Sequence, residues 1–224
     1  MIEDMQIRQA AANDTEFIIE TIIEAEKSGS DMISSCKVLG LTEENFKEIM
    51  RQILHDNIPD YDYDLSGFLI AEKNDEYLGA LGSWLEAADG NPSGIIKATI
   101  LFPYLDKNKM NEISKNSKVV KGFTINRKPG ALQLEHGYTR EPYRRQGVFT
   151  TLIKEHIKRS LNKHAGIDMV QTALSKENFK SLNAYLKLGF EIAEEKHVDD
   201  PEILKLFPYD TRVVMELSKS KFPD

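Results

Sequence analysis

The chain has 224 residues, of which 41% are hydrophobic and 29% are charged, a composition typical of a globular protein with an apolar core. Its formal net charge of -7 argues against a general nucleic-acid binder, because such a protein needs a basic surface to displace counterions from phosphates. A single cysteine, Cys36, excludes an internal disulfide and a cysteine-rich metal site.

The first half of the chain is predicted to contain two helices and a β-hairpin. Apolar residues recur at helical spacing in Thr15–Lys27, and Asp14 is placed to cap this helix. A second helix is expected to begin after Thr42, whose side chain can cap it, and to carry a regular apolar stripe. Residues 67–72 and 77–85 flank a short polar turn, which is typical of a hairpin.

The second half is predicted to alternate strands and helices. Leu132–Thr139 has the pattern of a strand, and Val148–Lys163 that of a long helix with apolar residues spaced by four. A strand at 168–174, a helix at 178–188 and strands at 190–197 and 212–217 complete the pattern. Helices that alternate with strands, with hairpin pairs at either end, predict an α/β protein with a mixed sheet.

The start of the helix at Val148 has the features of an anion site. The first N–H groups of a helix lack internal partners, and the helix dipole favours negative charge there. Gly147 lets a ligand approach the backbone, and residues 140–164 carry a net charge of +5 in an otherwise acidic chain. Taken alone, the segment is equally well explained as an ordinary basic helix start. Neither phosphate-loop pattern, G-x-x-x-x-G-K-S/T or G-x-G-x-x-G, fits, so a nucleotide-triphosphate or dinucleotide site is not expected.

The helix at 178–188 carries Asn178, Ser181 and Tyr185 on nearly one face, so an amide, a hydroxyl and a phenol share a polar stripe. A neighbouring apolar stripe is predicted to pack on the sheet: Phe179, Leu182 and Leu186. Taken alone, a helical tyrosine is more commonly an amphipathic residue at the edge of a core than a catalytic group.

Together, and in this order, the two segments resemble the pattern of GNAT-family N-acetyltransferases, and the resemblance covers about the second half of the chain. The residues that match the pattern are Arg144, Gly147, Asn178, Ser181, Tyr185, Lys187, Gly189 and Phe190. The resemblance implies a GNAT-like fold, with a central mixed, mostly antiparallel sheet and helices on both faces. Phe149 departs from the pattern, which usually has Gly or Ala there, so its side chain is expected to point away from the pyrophosphate, leaving its N–H free, and to pack in the core.

The resemblance also implies acetyl-CoA as co-substrate and assigns residues to it. The start of the helix would hold the coenzyme A pyrophosphate, through Arg144, Arg145, Gln146, Gly147, Val148, Phe149 and Thr150. The strand ending at Tyr138 and Thr139 would splay from its neighbour and hydrogen-bond the pantetheine, beside Asn178 and Ser181. Tyr185 would protonate the departing thiolate, a role suited to a phenol with a pKa near 10. No metal is expected.

The sequence defines the general base and the acceptor site less well. Glu135 lies on the strand beside the implied reaction centre and could take a proton from an ammonium group; a solvent-facing or ion-paired residue is the alternative. His136 is predicted to face the opposite side of the strand as a packing residue. Residues 57–64, which alternate acids and tyrosines, are predicted to form a solvated acidic loop, with an anionic rim for a cationic amine as the alternative. Their spacing does not follow a calcium loop.

Residues 86–130 form a polar stretch that is unusually long for a loop, with a helix predicted near 106–114. It contains the aromatic residues Phe102, Tyr104 and Phe123. Two interpretations stay open: a lid over the acceptor, or a peripheral packing element.

We therefore expect a single domain over residues 1–224, with an insertion at about 86–130, that transfers acetyl from acetyl-CoA to a primary amine on a small molecule or peptide. The alternatives are a catalytically silent acyl-CoA-binding sensor or interaction protein, and an acyltransferase with a longer acyl donor. A homodimer is left open. No nucleic acid or membrane partner is expected, because the chain is acidic, its start does not resemble a signal peptide and no run approaches the ~18 apolar residues of a membrane span. A cytoplasmic location is the resulting expectation.

Overall fold

The computed structural model describes residues 2–222, which form a seven-stranded sheet and eight α-helices. The strands are β1 (Gln6–Gln9), β2 (Phe68–Lys73), β3 (Glu76–Leu85), β4 (Leu132–Thr139), β5 (Met169–Ser175), β6 (Glu191–His197) and β7 (Thr211–Ser218). The helices are α1 (Thr15–Lys27), α2 (Ser34–Leu39), α3 (Glu43–Asp56), α4 (Ser93–Leu101), α5 (Met110–Val120), α6 (Val148–Lys163), α7 (Phe179–Lys187) and α8 (Ile203–Leu206). Among these residues, no helix has both the length and the apolar character that crossing a membrane requires.

The sheet has the strand order β1-β2-β3-β4-β5-β7-β6. Every neighbouring pair is antiparallel except β4 and β5, which are parallel and joined through α6. A parallel pair requires a crossover, and the long amphipathic α6 supplies it. The predicted mixed, mostly antiparallel sheet is therefore confirmed.

Helices cover both faces of the sheet, as predicted. On one face, α1 and α3 bury Phe17, Ile22, Phe46 and Ile53 in a core that includes Tyr61 and Tyr63. On the other face, α6 packs Leu152, Ile153 and Ile157 against β2, β3 and β4. Each apolar stripe therefore has a sheet face to bury it, which stabilises the helix far more than its intrinsic propensity does.

The two predicted helix caps have different outcomes. The Thr42 hydroxyl accepts a hydrogen bond from the Asn45 N–H at 3.2 Å, so the cap of α3 is confirmed. Asp14 does not cap α1, which corrects the prediction. Its buried carboxylate instead accepts two hydrogen bonds from Arg8, at 2.6 and 2.8 Å, and one from the Tyr77 hydroxyl at 2.8 Å. The bidentate guanidinium pair links β1, β3 and the start of α1, and it outweighs a single N–H contact.

The segment between the hairpin and β4 contains two helices where one was predicted. The predicted helix near 106–114 corresponds to α5, which begins and ends several residues later, and α4 was missed. The reason is that α4 follows Pro92 and includes Gly94, residues that usually mark turns. Its helix is stabilised by tertiary contacts, with Leu101 buried in the core beneath α1 and α3.

His156 of α6 makes the stability of the fold dependent on pH. Its Nε2 donates to the Leu81 carbonyl and its Nδ1 accepts from the Ser83 hydroxyl, both at 2.7 Å. Burial lowers the pKa of His156 from 6.5 to about 4, so the ring is neutral in the folded protein near neutral pH. Between pH 6.5 and about 4, the unfolded chain therefore binds a proton on this ring that the folded chain does not bind.

We expect the stabilisation from the neutral His156 ring to be complete above pH 6.5 and to be lost as the pH falls toward 4. The free energy of unfolding should fall by up to about 1.4 kcal/mol per pH unit in this range. Urea unfolding at half-unit pH steps measures the slope. His156→Gln, although less stable at pH 7, should flatten the slope in this window. An equally steep slope in the variant would assign the acid sensitivity to other groups.

Candidate functional site

The sheet opens between β4 and β5. Their ladder is limited to three pairs, from Leu132 to Leu134 on β4, and stops at Thr172 on β5. Beyond this point the β5-facing edge of β4 has no strand partner, although the edge facing β3 stays paired as far as Thr139. The splay implied by the family resemblance is therefore confirmed. An unpaired strand edge offers N–H and C=O groups to an extended polar ligand.

A bulge in β4 accompanies the opening. The register with β3 shifts between Ala80 and Gly82, and His136 adopts a left-handed φ of 53°. A bulge adds one residue to a strand and reverses the side-chain alternation beyond it. Glu135 and His136 consequently both border the same cavity, which corrects the prediction that His136 faces the opposite side.

A cavity of about 900 Å³ lies at the opening. Its walls come from β4, β5, α7, the α1–α2 region and the segment 86–130. Five of the predicted catalytic and cofactor-binding residues line it: Glu135, Phe149, Asn178, Ser181 and Tyr185. The loop of residues 144–147 lies outside this lining. The cavity thus contains the predicted reaction centre and does not extend to the predicted anion loop.

The start of α6 has unused backbone donors. Gly147 precedes the helix with a φ of 90°, and the first helical bond runs from the Thr151 N–H to the Gly147 carbonyl at 2.9 Å. Within residues 2–222, the N–H groups of Val148, Phe149 and Thr150 have no hydrogen-bond acceptor. Such a terminus can bind an anion through its N–H groups and its dipole.

The side chains of this loop contribute less than its backbone. The Arg144 Nε donates to the Thr139 carbonyl at 3.0 Å, and the Gln146 amide donates to the Pro142 carbonyl at 2.8 Å. Arg144 therefore holds the loop against the end of β4, and Gln146 holds it against the turn at residues 141–143. Arg145 is exposed with a left-handed φ of 62°. These contacts shape the loop, and both Arg144 and Arg145 place positive charge at the surface.

Phe149 combines a core position with a place on the cavity wall. Its ring packs edge-on to Tyr185, with centroids 5.5 Å apart, and touches the core beneath α6. A Cβ atom at Gly137 would clash with this ring, so the glycine is needed for the close approach of β4. The predicted core role of Phe149 is confirmed.

Tyr185 is buried at the base of the cavity, with 4% of its surface exposed, between Phe149 and Phe190. Burial raises the pKa of its phenol above the ordinary value, although Thr172 opposes the shift. The hydroxyl therefore carries its proton at neutral pH. The apolar stripe predicted for α7 is wrong in part, because Phe179 and Leu186 are exposed. The helix is rotated so that Tyr185 packs on the sheet.

The remaining predicted contacts lie at the opening: Asn178 and Ser181 line the cavity, and Tyr138 and Thr139 lie on β4 beyond its ladder with β5. The Asn178 side chain caps α7 by accepting from the Ser181 N–H at 3.3 Å, and it donates to the Ser28 hydroxyl at 3.3 Å. Tyr138 and Thr139 are half-buried at the end of β4. The Thr139 hydroxyl is buried without a hydrogen-bond partner in the described part of the chain.

A cluster of charged residues occupies the far side of the cavity. The Asp62 carboxylate accepts from Lys97 of α4 at 2.6 Å and from His136 Nε2 at 3.4 Å. The His136 ring stacks on Tyr63 at 5.4 Å, and the Lys97 ammonium lies 4.2 Å from the centroid of the same ring. Asp62 is only 6% exposed, so the predicted solvated acidic loop is wrong.

The cations decide the protonation of this cluster. Burial alone would raise the pKa of Asp62, but Lys97 and His136 hold it below its ordinary value. Burial alone would lower the pKa of Lys97, but Asp62, Tyr63 and Glu26 raise it. Asp62 is therefore a carboxylate that orients the His136 ring. Glu135 forms a close ion pair with Arg127.

Three side chains of the cavity have the spacing of a metal site: one ligand-type atom from each of Asp62, Glu135 and His136 lies within 4.8 Å of the other two. Lys97 and Arg127 already neutralise the two carboxylates, an arrangement that favours an ion-pair network over a metal ion.

The segment 86–130 is part of the cavity wall. Lys97 reaches Asp62, Arg127 reaches Glu135, and the buried Phe123 borders the same space. Phe102, one of the aromatic residues noted in this segment, is 63% exposed and lies away from the cavity lining. The segment is thus more than a peripheral element, and two of its cations complete the cluster.

The sequence assigned no site role to six charged residues that line this cavity: Glu26, Asp62, Glu86, Lys97, Arg127 and Arg212. The available signal was weak. Asp62 lay in the acidic tract, and the cations were ordinary charged positions in a polar stretch or strand. Only the fold brings them to one cavity.

Comparison with known proteins assigns a family. The sequence profile of the acetyltransferase (GNAT) family matches residues 40–190, more than half of the chain. No curated protein sequence matches significantly.

Solved structures share the fold at low identity. An N-acetyltransferase from Staphylococcus aureus Mu50 is 15% identical with a TM-score of 0.61, covering 95% of this chain and 100% of its own. A mutant agmatine N-acetyltransferase in its apo form is 13% identical with a TM-score of 0.58, covering 96% and 100%. An aminoglycoside acetyltransferase in complex with coenzyme A is 15% identical with a TM-score of 0.52, covering 98% and 97%. At these identities the similarity establishes the fold and leaves the substrate open.

Proposed function

We propose that this chain, which belongs to the acetyltransferase (GNAT) family, transfers an acetyl group from acetyl-CoA to a primary amine by direct attack in a ternary complex. The observation that carries the proposal is the opening between β4 and β5, which brings a buried phenol and a histidine hydrogen-bonded to a carboxylate to one cavity. The open backbone donors at the start of α6 add a place for phosphates.

The described residues fit the parts of coenzyme A. The N–H groups of Val148, Phe149 and Thr150, next to Arg145 and Gly147, suit a pyrophosphate. The unpaired edge of β4 around Tyr138 and Thr139 suits the amides of the pantetheine arm, and Asn178 and Ser181 border it. Acetyl-CoA would supply the activated acetyl thioester at the cavity. The aminoglycoside acetyltransferase of the same fold was solved with coenzyme A, which supports this choice.

Tyr185 is the proposed general acid. Tyr185 lines the cavity at the base of the opening, and its raised pKa keeps the proton available. A thiolate leaving group needs one proton as the carbon–sulfur bond breaks, and a phenol within reach can donate it. No covalent intermediate on the protein is needed, so the buried Cys36 has no role.

The proposed base is one of two adjacent residues, Glu135 and His136. The Glu135 carboxylate is already engaged in an ion pair with Arg127. His136 donates from Nε2 to the ionised Asp62, which leaves Nδ1 as the nitrogen that accepts a proton. His136 is therefore the favoured base, with Asp62 as the positioning residue. It would deprotonate the ammonium group so that a neutral amine can attack the carbonyl carbon.

The rival function is an acyl-CoA-binding protein without turnover, and one experiment separates the two. Acetyl-CoA at millimolar concentration should raise the melting temperature, because it binds the folded state only. Thiol release from acetyl-CoA should then depend on an added amine from a panel of polyamines, aminoglycosides and amino acids. A thermal shift without thiol release would favour the sensor, and the absence of both would overturn the proposal. A second acyl donor, such as butyryl-CoA, tests the acyl-chain preference.

Gly147→Val should weaken acetyl-CoA binding at least tenfold. Gly147 has a φ of 90°, which a β-branched residue adopts only with strain, and a side chain there would block the close approach of a pyrophosphate. Calorimetric titration with acetyl-CoA measures the change. Gly130→Val is the matched control, because Gly130 also has a positive φ, of 78°, and has open space around it far from the start of α6. Equal affinity for acetyl-CoA in Gly147→Val and the parent would show that the pyrophosphate does not bind at this loop.

A further inference from the structure

Arg212, at the start of β7, is a cation of the cavity wall that the proposed chemistry does not use. It pairs in the sheet with Ser175, at the end of β5 where β4 has diverged, and its side chain lines the cavity. Its guanidinium stands 6.0 Å from the centroid of the Phe123 ring, which is itself fixed edge-on by Phe207. The position of the charge is thus set by packed aromatic rings.

The other charged groups of the cavity have partners. Lys97 pairs with Asp62, and Arg127 pairs with Glu135. Glu26 accepts hydrogen bonds from the Ser35 N–H and hydroxyl at 2.9 and 2.6 Å. Glu86 accepts from the Trp84 indole at 3.0 Å and from the Ser93 hydroxyl at 2.6 Å. Each of these charges is therefore stabilised within the protein.

Arg212 differs from them. Within residues 2–222, no hydrogen bond engages its guanidinium and no carboxylate lies within 4.0 Å of it. Burial lowers the pKa of Arg212, and Arg127 adds repulsion, while Glu135 and Glu26 oppose the shift from a distance. A half-buried cation without a partner is costly, and an anion that enters the cavity would relieve that cost.

We infer that Arg212 binds a carboxylate of the acceptor, so that the substrate class is an amine that also carries a carboxylate, such as an amino acid. The inference rests on the proposed function and adds the acceptor's second charge to it. The ammonium group of such a molecule meets His136 and Asp62, and its carboxylate meets the guanidinium fork of Arg212, which can form two parallel hydrogen bonds. The acyl donor's pantetheine arm is neutral and leaves this cation free.

The test compares acceptors that differ only in the carboxylate. The twenty amino acids are screened with acetyl-CoA, and each one that reacts is compared with its C-terminal amide. The parent protein should prefer the acid by at least tenfold in kcat/KM. Arg212→Met should lower kcat/KM for the acid roughly 30- to 100-fold, the scale of a lost charge-assisted pair, and change the value for the amide by about twofold or less. Arg212→Lys, which keeps the charge but loses the fork, should fall between them.

Lys176→Met is the matched control, because it removes a cation next to the same strand end whose partner, Glu195, is at the surface. It should keep the preference of the parent. An unchanged melting temperature and acetyl-CoA affinity in the Arg212 variants show that folding and the donor site are intact. A carboxylate on the acyl donor is the other source of the same chemistry, and succinyl-CoA tests it. Loss of succinyl transfer in Arg212→Met without a change in the acid-to-amide ratio would overturn the inference.

Other results also decide it. Acetyl transfer to amines with no preference for a carboxylate, or an equal loss for acid and amide in Arg212→Met, overturns the inference and leaves the proposed function standing. If acetyl-CoA binds and no amino acid is acetylated, the inference is likewise overturned and the proposed function stands. Failure to bind acetyl-CoA at all overturns the proposed function and the inference with it.

Discussion

Tyr185→Phe should lower kcat roughly 100-fold or more, with little change in KM. The substitution removes one hydroxyl and keeps the ring that packs between Phe149 and Phe190, so the fold and the donor affinity should be retained. The loss has this size because a general acid contributes to the transition state alone. Single-turnover thiol release at saturating acetyl-CoA measures the chemical step.

A matched control uses the other tyrosine of the opening. Tyr138 lies near the end of β4, is half-buried and does not line the cavity. Tyr138→Phe should therefore keep the chemical step within a fewfold of the parent. A parental rate in Tyr185→Phe, under conditions where chemistry limits turnover, would make Tyr185 a packing residue and place the acid elsewhere.

His136→Asn should lower kcat/KM for an amine roughly 100-fold or more at pH 7. Asparagine is chosen because it tolerates the left-handed φ of 53° at this position, so the bulge should persist. The loss follows from the missing base, since a primary amine is almost fully protonated at pH 7. The deficit should shrink as the pH approaches 10, where solvent supplies the neutral amine. A pH profile of kcat/KM measures both effects.

Glu135→Gln distinguishes the two candidates for the base. It removes the charge that Arg127 neutralises, so we expect less than a tenfold loss with no recovery at high pH. If Glu135→Gln instead shows the large loss with alkaline recovery, and His136→Asn is close to the parent, then Glu135 is the base. Asp62→Asn should reproduce part of the His136 deficit, because the ring would lose the carboxylate that orients it.

Local patterns in the sequence predicted much of the frame. The bounds of α1, β4 and α6 agree with the structure, because each has apolar residues at the spacing of its helix or strand. The splay of β4 came from the resemblance, which located the two family segments. The residues of these segments that line the cavity, including Tyr185 and Ser181, were also identified in advance.

Patterns failed where a distant residue changed the environment. Residues 57–64 have the composition of a solvated loop, yet Asp62 is buried because Lys97, 35 positions later, neutralises it. A buried carboxylate is stable only with such a partner, and the partner cannot be identified from the local sequence. The exposed Phe179 and Leu186 show the same limit on α7, where the packing of Tyr185 against Phe149 decided which side faces the sheet.

The sequence by itself determined the family and the phenol on α7, because both depend on motif residues close together in the chain. It also determined the order of strands and helices around the anion loop, because that order follows from short-range periodicity. The tertiary structure alone decided which charges share the cavity. One extra residue in β4 turned His136 to the side of Glu135, and chain segments tens of residues apart placed Lys97, Arg127 and Arg212 around them. Strand alternation is a strictly local rule that a single bulge reverses, and charge pairing depends on distance in space, which the sequence does not contain.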